Sequence, residues 1–214
     1  MVTVLPFPEQ RIILRTISWE TYERLLAENT DSSNPRFTYD RGVLEIMSPS
    51  AEHEEINHVL TLLVNIVAEE LDIDVRGFGS TTFRREDLAR GFEPDSCFYI
   101  QSVARISGRT TLDLVMDPPP DLVIEIDLTN SSLDKFPIYA QVGVPEIWRY
   151  DGSELRIFYL ENTLYVAHNA SAALSVLTRD VLSQFLAESK SLRRTAWIRR
   201  VRNWIQTQHG EESS

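Results

Sequence analysis

An α/β fold, a mixed β-sheet flanked by α-helices, is predicted by three features of this sequence. Segments whose apolar residues recur at helical spacing alternate with short β-branched runs along the chain. One run, Asp121-Leu122-Val123-Ile124-Glu125-Ile126-Asp127-Leu128, has the near-continuous apolar character of a strand inside a sheet. The composition, 43% hydrophobic and 25% charged over 214 residues, suits one ordinary core with a tail or insertion.

The elements follow in order. Ser18 is a good N-cap, and Trp19, Tyr22, Leu25 and Leu26 follow at helical spacing. After a polar loop from Asn29 to Pro35, Phe37-Thr38-Tyr39 and Val43 to Met47 flank Asp40-Arg41-Gly42, a hairpin signal with glycine available for positive φ. Ser48-Pro49-Ser50 breaks the chain before a long helix striped by Ile56, Val59, Leu60, Leu63, Ile66, Val67 and Leu71. Asp74 to Gly79 and Thr81 to Arg84 read as strands, and Gly91 to Pro94 as a turn into a strand from Asp95 to Ile100. Gln101 to Pro120 reads as loop, stopped by three prolines before the apolar strand. A helix is expected from Ser132 to Val142, terminated by Gly143. A strand from Glu146 to Asp151 and a hairpin of Arg156 to Tyr159 with Leu164 to Ala167 close the sheet. Arg179 to Gln206 reads as helical, with a polar, frayed end from Gln208 to Ser214. The chain thus divides into a core domain over 1–178 and a C-terminal helical extension over 179–214.

Composition removes several classes. The single cysteine, Cys97, rules out an intramolecular disulfide and a cysteine-rich zinc site, and its apolar setting reads as a buried thiol. No stretch approaches the roughly 20 apolar residues of a membrane span, and Met1 to Pro8 lacks the pattern of a signal peptide, so a cytoplasmic location is expected. Neither a Walker loop nor a dinucleotide fingerprint is present. The net charge of −11 argues against sequence-blind nucleic-acid binding by the whole surface, so any such activity needs a local basic patch. Lys190, Arg193, Arg194, Arg199, Arg200 and Arg202, with Trp197 and Trp204 interleaved, form one candidate. The helical spacing of Trp197, Ile198, Val201, Trp204 and Ile205 favours the other reading, a face packed on the body or on a second subunit.

Two acids stand where packing alone does not ask for them. Glu125 lies among Val123, Ile124, Ile126 and Leu128, where a carboxylate is costly unless paired or bound to a cation. Asp95 follows Pro94 and leads a second apolar strand. Asp121, Glu125 and Asp127 share one strand face, and a divalent cation would relieve their repulsion. Asp121 and Asp127 read equally well as strand-end residues. Lys135 falls in the first turn of the next helix, as a rim cation facing the carboxylates or as a solvated surface lysine. His53 and Glu54 open the long helix, as ligand or base, or as ordinary helix-start residues.

Four ordered segments carry a resemblance: Gly42 to Ser50, Glu93-Pro94-Asp95, Pro120 to Ile126, and Lys135-Phe136-Pro137-Ile138-Tyr139 with Gly143 to Trp148. Together they resemble the Uma-two family of bacterial endonucleases, from about Trp19 to about Tyr165. That family is similar to the PD-(D/E)xK superfamily. The resemblance implies a restriction-endonuclease-like core, a divalent metal (Mg²⁺ or Mn²⁺) and hydrolysis of DNA phosphodiesters. It assigns the metal to Asp95, Glu125 and the backbone carbonyl of Ile126. Catalytic roles fall on Asp95, Glu125, Lys135 and His53, the histidine as base or as support. The superfamily lysine, two residues after Glu125, is here Asp127, and Lys135 of the Lys-x-x-x-Tyr stretch is its replacement. Two functions follow. A metal-dependent DNA endonuclease is favoured by Asp95, Glu125 and Lys135. A catalytically degenerate nuclease-fold protein that binds nucleic acid or a protein partner is favoured by Asp127 and the acidic charge. Asp95 and Glu125 are expected on neighbouring strands with carboxylates within about 6 Å, and the protein is expected to be a C2 homodimer. Glu45, Glu54 and Asp121 have no assigned role.

Overall fold

A computed structural model describes residues 9–29, 34–129 and 133–212. The chain runs β1 (Gln10–Arg15), α1 (Trp19–Glu28), β2 (Arg36–Asp40), β3 (Val43–Ser48), α2 (Ala51–Glu70), β4 (Arg76–Gly77), β5 (Phe83–Arg85), β6 (Arg90–Phe92) and β7 (Ser96–Tyr99). It continues with β8 (Leu122–Ile126), α3 (Phe136–Val142), β9 (Glu146–Tyr150), β10 (Leu155–Glu161), β11 (Leu164–His168), α4 (Arg179–Ser189) and α5 (Arg194–Glu212).

The predicted class holds, with one elaboration: the strands form two sheets. The smaller is antiparallel, in the order β1-β3-β2-β6-β5. The larger has the order β11-β10-β9-β8-β7-β4 and is mixed, because β8 and β9 run parallel across the α3 connection while its other pairs are antiparallel. The turn read at Gly91 to Pro94 is instead partly strand β6, which pairs with β2 and β5. Glu93-Pro94-Asp95 then carries the chain from one sheet into the other. This crossing sets Asp95 at the junction of the sheets.

Alternation along β8 divides the core. Leu122, Ile124 and Ile126 pack with α2, α4 and α5 on one face. Val123, with Cys97 and Ile147, packs against Ile138 and Tyr139 of α3 and against Phe83 and Phe92 of the smaller sheet. Burial raises the Cys97 thiol to about 12, so it is an inert structural group.

Local signals act as read at several places. Arg41 (φ 45°) and Gly42 (φ 91°) make the two-residue turn between Asp40 and Val43. Ser50 caps α2 by accepting from His53 N at 3.2 Å. Gly143, at φ 83°, ends α3. α3 starts later than expected, at Phe136; Ser132 lies outside the described residues. The C-terminal helix is two helices, broken at 190–193, and α5 stays helical to Glu212 where a frayed end was expected. Its apolar face is used within the chain: Trp197, Val201 and Ile205 are buried against α2 and α4, and Trp197 Nε1 donates to Phe185 O at 2.8 Å. Among the described residues, no helix is long and apolar enough to cross a membrane.

Candidate active site

The inner face of the smaller sheet builds one wall. Arg11 and Arg36 both lie opposite Met47, one on each side of β3, so all three point the same way. Glu45, two residues from Met47, shares that face. The first turns of α2 build the second wall. The Ser50 cap fixes where the helix begins, which sets His53 and Asn57 one turn apart on its buried side. The ends of β7 and β8 and the start of α3 complete the site.

Asp95 is fully buried and held from four directions. Its Oδ2 accepts from Ile126 N at 2.6 Å. Its Oδ1 pairs closely with the Arg36 guanidinium. Asn57 Nδ2 donates to its carbonyl at 3.0 Å. His53 Nε2 lies 3.2 Å from Oδ2 without the alignment of a hydrogen bond. The antiparallel register sets Ser96 opposite Ile124. One step further sets Asp95 beside Glu125 at the same strand end, on the face shared with Val123 and Cys97.

Glu125 is 3% exposed. Lys135 Nζ donates to its Oε2 at 2.7 Å, and the Tyr139 hydroxyl donates to its Oε1. Lys135 is the residue just before α3, and its carbonyl accepts from Tyr139 N at 3.0 Å. That first turn brings ammonium and phenol together on one carboxylate. Lys135 was expected at an exposed rim but is 9% exposed. Packing of Ile138 and Tyr139 draws the start of α3 down onto the sheet and the lysine with it.

Asp127, where the resemblance leads one to expect a lysine, is neutralised. Arg11 Nη2 reaches its Oδ1 at 3.0 Å and Arg149 Nε its Oδ2 at 2.8 Å. Asp121, grouped with Glu125 and Asp127 by strand periodicity, is elsewhere in function: it caps the turn at Ile100 and Ser102 by accepting from both backbone amides. Glu54 pairs with Arg36 at 2.6 Å.

Sequence reading missed Arg36, Glu9, Arg11, Glu93 and the Tyr139 contact. Glu9 Oε1 accepts from Arg11 Nε at 2.6 Å and from Thr129 Oγ1 at 2.8 Å. Glu93, whose pKa burial raises, accepts from Phe37 N at 2.8 Å and from Thr82. A usable signal existed for Arg36, a cation that opens the strand pattern of Phe37-Thr38-Tyr39. None existed for Glu9 and Arg11, whose partners lie up to 120 residues away.

The resulting cluster joins seven carboxylates (Glu9, Glu45, Glu54, Glu93, Asp95, Glu125, Asp127) to four cations (Arg11, Arg36, Lys135, Arg149). Burial, reinforced by Arg36, Lys135 and Arg11, pushes His53 down to about 3, so its ring is neutral at pH 7. Both its nitrogens and Glu9 Oε2 are buried without a hydrogen-bond partner among the described residues. No group of three or more histidine, cysteine or acidic side chains is arranged as a ready metal site among them. Among the described residues, three clefts reach the cluster: one touches it at Glu93, beside Phe37, Thr82 and Arg84, and two open on the Glu125 and Asp95 sides. Of these two, one, of about 330 Å³, is lined by Glu125, Asp127, Lys135 and Arg149. The other, of about 480 Å³, is lined by Arg36, Glu54, Asn57, His58 and Asp95.

A family model described as "Uma2: Putative restriction endonuclease" matches residues 19–188. The chain belongs to the Uma2 family. Among solved structures it is similar to a protein from Anabaena variabilis described as a "putative nuclease belonging to DUF820". That similarity has a TM-score of 0.55 at 17% identity, over 79% of this chain and 99% of the other, and it bears on the fold. No curated protein matches the chain.

Within this Uma2 chain, Glu9 and Arg11 lie before the matched region yet join the site through β1. α5 lies beyond it, and its cations divide: Arg200 pairs with Glu188, and Arg202 with Glu69 and Glu70. The packed-face reading of this helix is therefore the one its buried residues bear out.

Proposed function

We propose that this Uma2 protein is a metal-dependent endonuclease that hydrolyses DNA phosphodiester bonds. In this reading Asp95 and Glu125 hold Mg²⁺ or Mn²⁺ together with the Ile126 backbone carbonyl, and Lys135 is the cation at the reacting phosphate. The observation that carries it is the meeting, at one strand end, of two buried carboxylates with a buried lysine on one of them.

The residues fit such an ion on two grounds. Carboxylate and carbonyl oxygens are the donors a hard divalent cation takes. The cluster also carries an excess of three negative charges when all its acids are ionised, next to buried polar atoms on Glu9 and His53 that have no hydrogen-bond partner among the described residues. A bound ion would supply Lewis acidity and a water of lowered pKa. The chain's own residues do the rest. Ile126 N and Arg36 orient Asp95. Lys135 Nζ, once relieved of Glu125, can donate to a non-bridging phosphate oxygen and stabilise the charge that develops there. Tyr139 keeps Glu125 in place. A ring depressed to about 3 is a weak base, so the geometry favours His53 as support for Asp95. Asp127 cannot supply the superfamily lysine's charge, and Arg11 and Arg149 cancel its own.

A second reading, a nuclease-fold protein that binds without cutting, is favoured by one observation: a cation already sits on each key carboxylate. Incubation with single-stranded, linear duplex and supercoiled DNA, in Mg²⁺ and in Mn²⁺, separates the two. The first reading expects cleavage abolished by EDTA; intact DNA under every condition leaves the second. A C2 homodimer remains part of the first reading. The Trp face of α5 is unavailable to it, so the dimer would use other surface, such as edge strand β1 with exposed Ile12 and Leu14.

A further inference from the structure

The stretch 189–210 contains no acidic residue, the more notable in a chain of net charge −11. Apart from Arg199, exposed further along α5, its lysines and arginines fall into two groups. Arg200 and Arg202 are tied to carboxylates. Lys190, Arg193 and Arg194, on the turn between α4 and α5, are exposed and have no ion-pair partner among the described residues. Two of them stand at the start of α5, where a cation opposes the helix dipole, so helix stability does not account for them.

This turn lies close to the site. Arg194 lines a groove of about 290 Å³ with His58, Leu62 and Trp197. His58 also lines the groove that contains Asp95. The two grooves thus adjoin across the exposed strip of α2. From Asn57, which holds Asp95, to Leu62, which lines the Arg194 groove, is five residues, a rise of about 7.5 Å along α2. That rise spans about two nucleotides of one strand at roughly 3.4 Å axial spacing.

Resting on the nuclease reading above, we propose that the α4–α5 turn is the track for the phosphate backbone of the nucleic acid, holding the strand whose phosphodiester enters the Asp95 groove. Lys190, Arg193 and Arg194 supply the contacts, and Ser191 and Thr195 add exposed hydroxyls beside them. Such contacts position a strand without reading its bases. Acids adjoin these cations and oppose an anion there: Glu55 lines the groove of Arg194, and Glu52 and Glu55 line a further groove with Lys190.

The test is DNA binding by fluorescence anisotropy in EDTA, from 50 to 200 mM salt, with native protein and the triple variant Lys190→Gln/Arg193→Gln/Arg194→Gln. Loss of three phosphate contacts should lower the slope of log K against log salt by roughly 2–3. Affinity at 50 mM salt should fall at least tenfold, with melting temperature unchanged. Arg156→Gln, on β10 and paired with Glu154, should bind as native, and Glu55→Gln should bind more tightly. Equal binding by native and triple variant overturns the track while leaving the nuclease reading, which metal-dependent cleavage tests separately. Tighter competition by polyglutamate than by DNA would also overturn it, in favour of an acidic protein partner.

Discussion

Removal of the Lys135 ammonium should weaken the fold in a way that a divalent cation repairs. Lys135→Met keeps most of the aliphatic stem and deletes the charge. It leaves Glu125, 3% exposed, with the Tyr139 hydroxyl as its one remaining hydrogen-bond partner among the described residues. Breaking a buried pair in this manner costs about 3–5 kcal/mol, because the surviving charge stays desolvated. For a chain of this size that is a fall of about 6–20 °C in Tm. Neutralising both partners, in Lys135→Met/Glu125→Gln, should recover part of the loss, since no lone charge remains. Mn²⁺ should then raise the Tm of Lys135→Met more than that of native protein, because the ion takes the ammonium's place on Glu125. At about 100 times Kd the gain is about 2.7 kcal/mol. The assay is thermal and urea unfolding of the three proteins, in EDTA and in Mn²⁺. If Lys135→Met melts within about 2 °C of native in EDTA, the buried pair is not what the geometry describes. Equal responses to Mn²⁺ would remove Glu125 as a ligand.

Other outcomes follow from the same geometry. His53 has a folded pKa of about 3 against 6.5 unfolded, so below pH 6.5 the unfolded chain takes up a proton that the folded chain does not. Stability should therefore fall as pH drops from 6.5 toward 3, by up to about 1.4 kcal/mol per unit from this group; urea unfolding of His53→Asn should show a shallower slope, and an identical one would contradict the buried neutral ring. Gly91 on β6 faces Tyr22 so closely that a Cβ would overlap the buried ring, so Gly91→Ala should cost about 1–3 kcal/mol in denaturant unfolding. Trp197→Ala should cost about 3–5 kcal/mol, the value of a buried aromatic; a loss under 1 kcal/mol would mean that α5 is not part of the core. Light scattering at micromolar concentration should give a dimer mass, and a monomer mass removes the C2 pairing.

Much of this arrangement is legible in the amino-acid sequence. Glu125 announced itself as a carboxylate in an apolar strand, and the Ser50 cap with its apolar stripe located α2 and hence His53. The periodicity of Trp197, Val201 and Ile205 read correctly as a packed face. What could not be read was set by long-range pairing. The second sheet depends on β5 and β6, three residues each, too short to carry a pattern. Arg11 meets Asp127 across 116 residues, and no local rule joins them. The burial of Lys135 depends on how deeply α3 seats against β8, a packing outcome that spacing does not encode. Asp121 stays open in the sequence for a related reason: strand alternation gives the face of a side chain, but not the end of the strand at which it finds its partners, and the structure selects the strand-end reading.

The most direct test of the central claim is Mn²⁺ binding followed by electron paramagnetic resonance, with native protein, Asp95→Asn and Glu125→Gln. Loss of the free-ion signal on titration with native protein, and its return in both variants while they remain folded, is the predicted result. A free-ion signal that native protein leaves undiminished, or binding equal in all three, would contradict a metal held by Asp95 and Glu125.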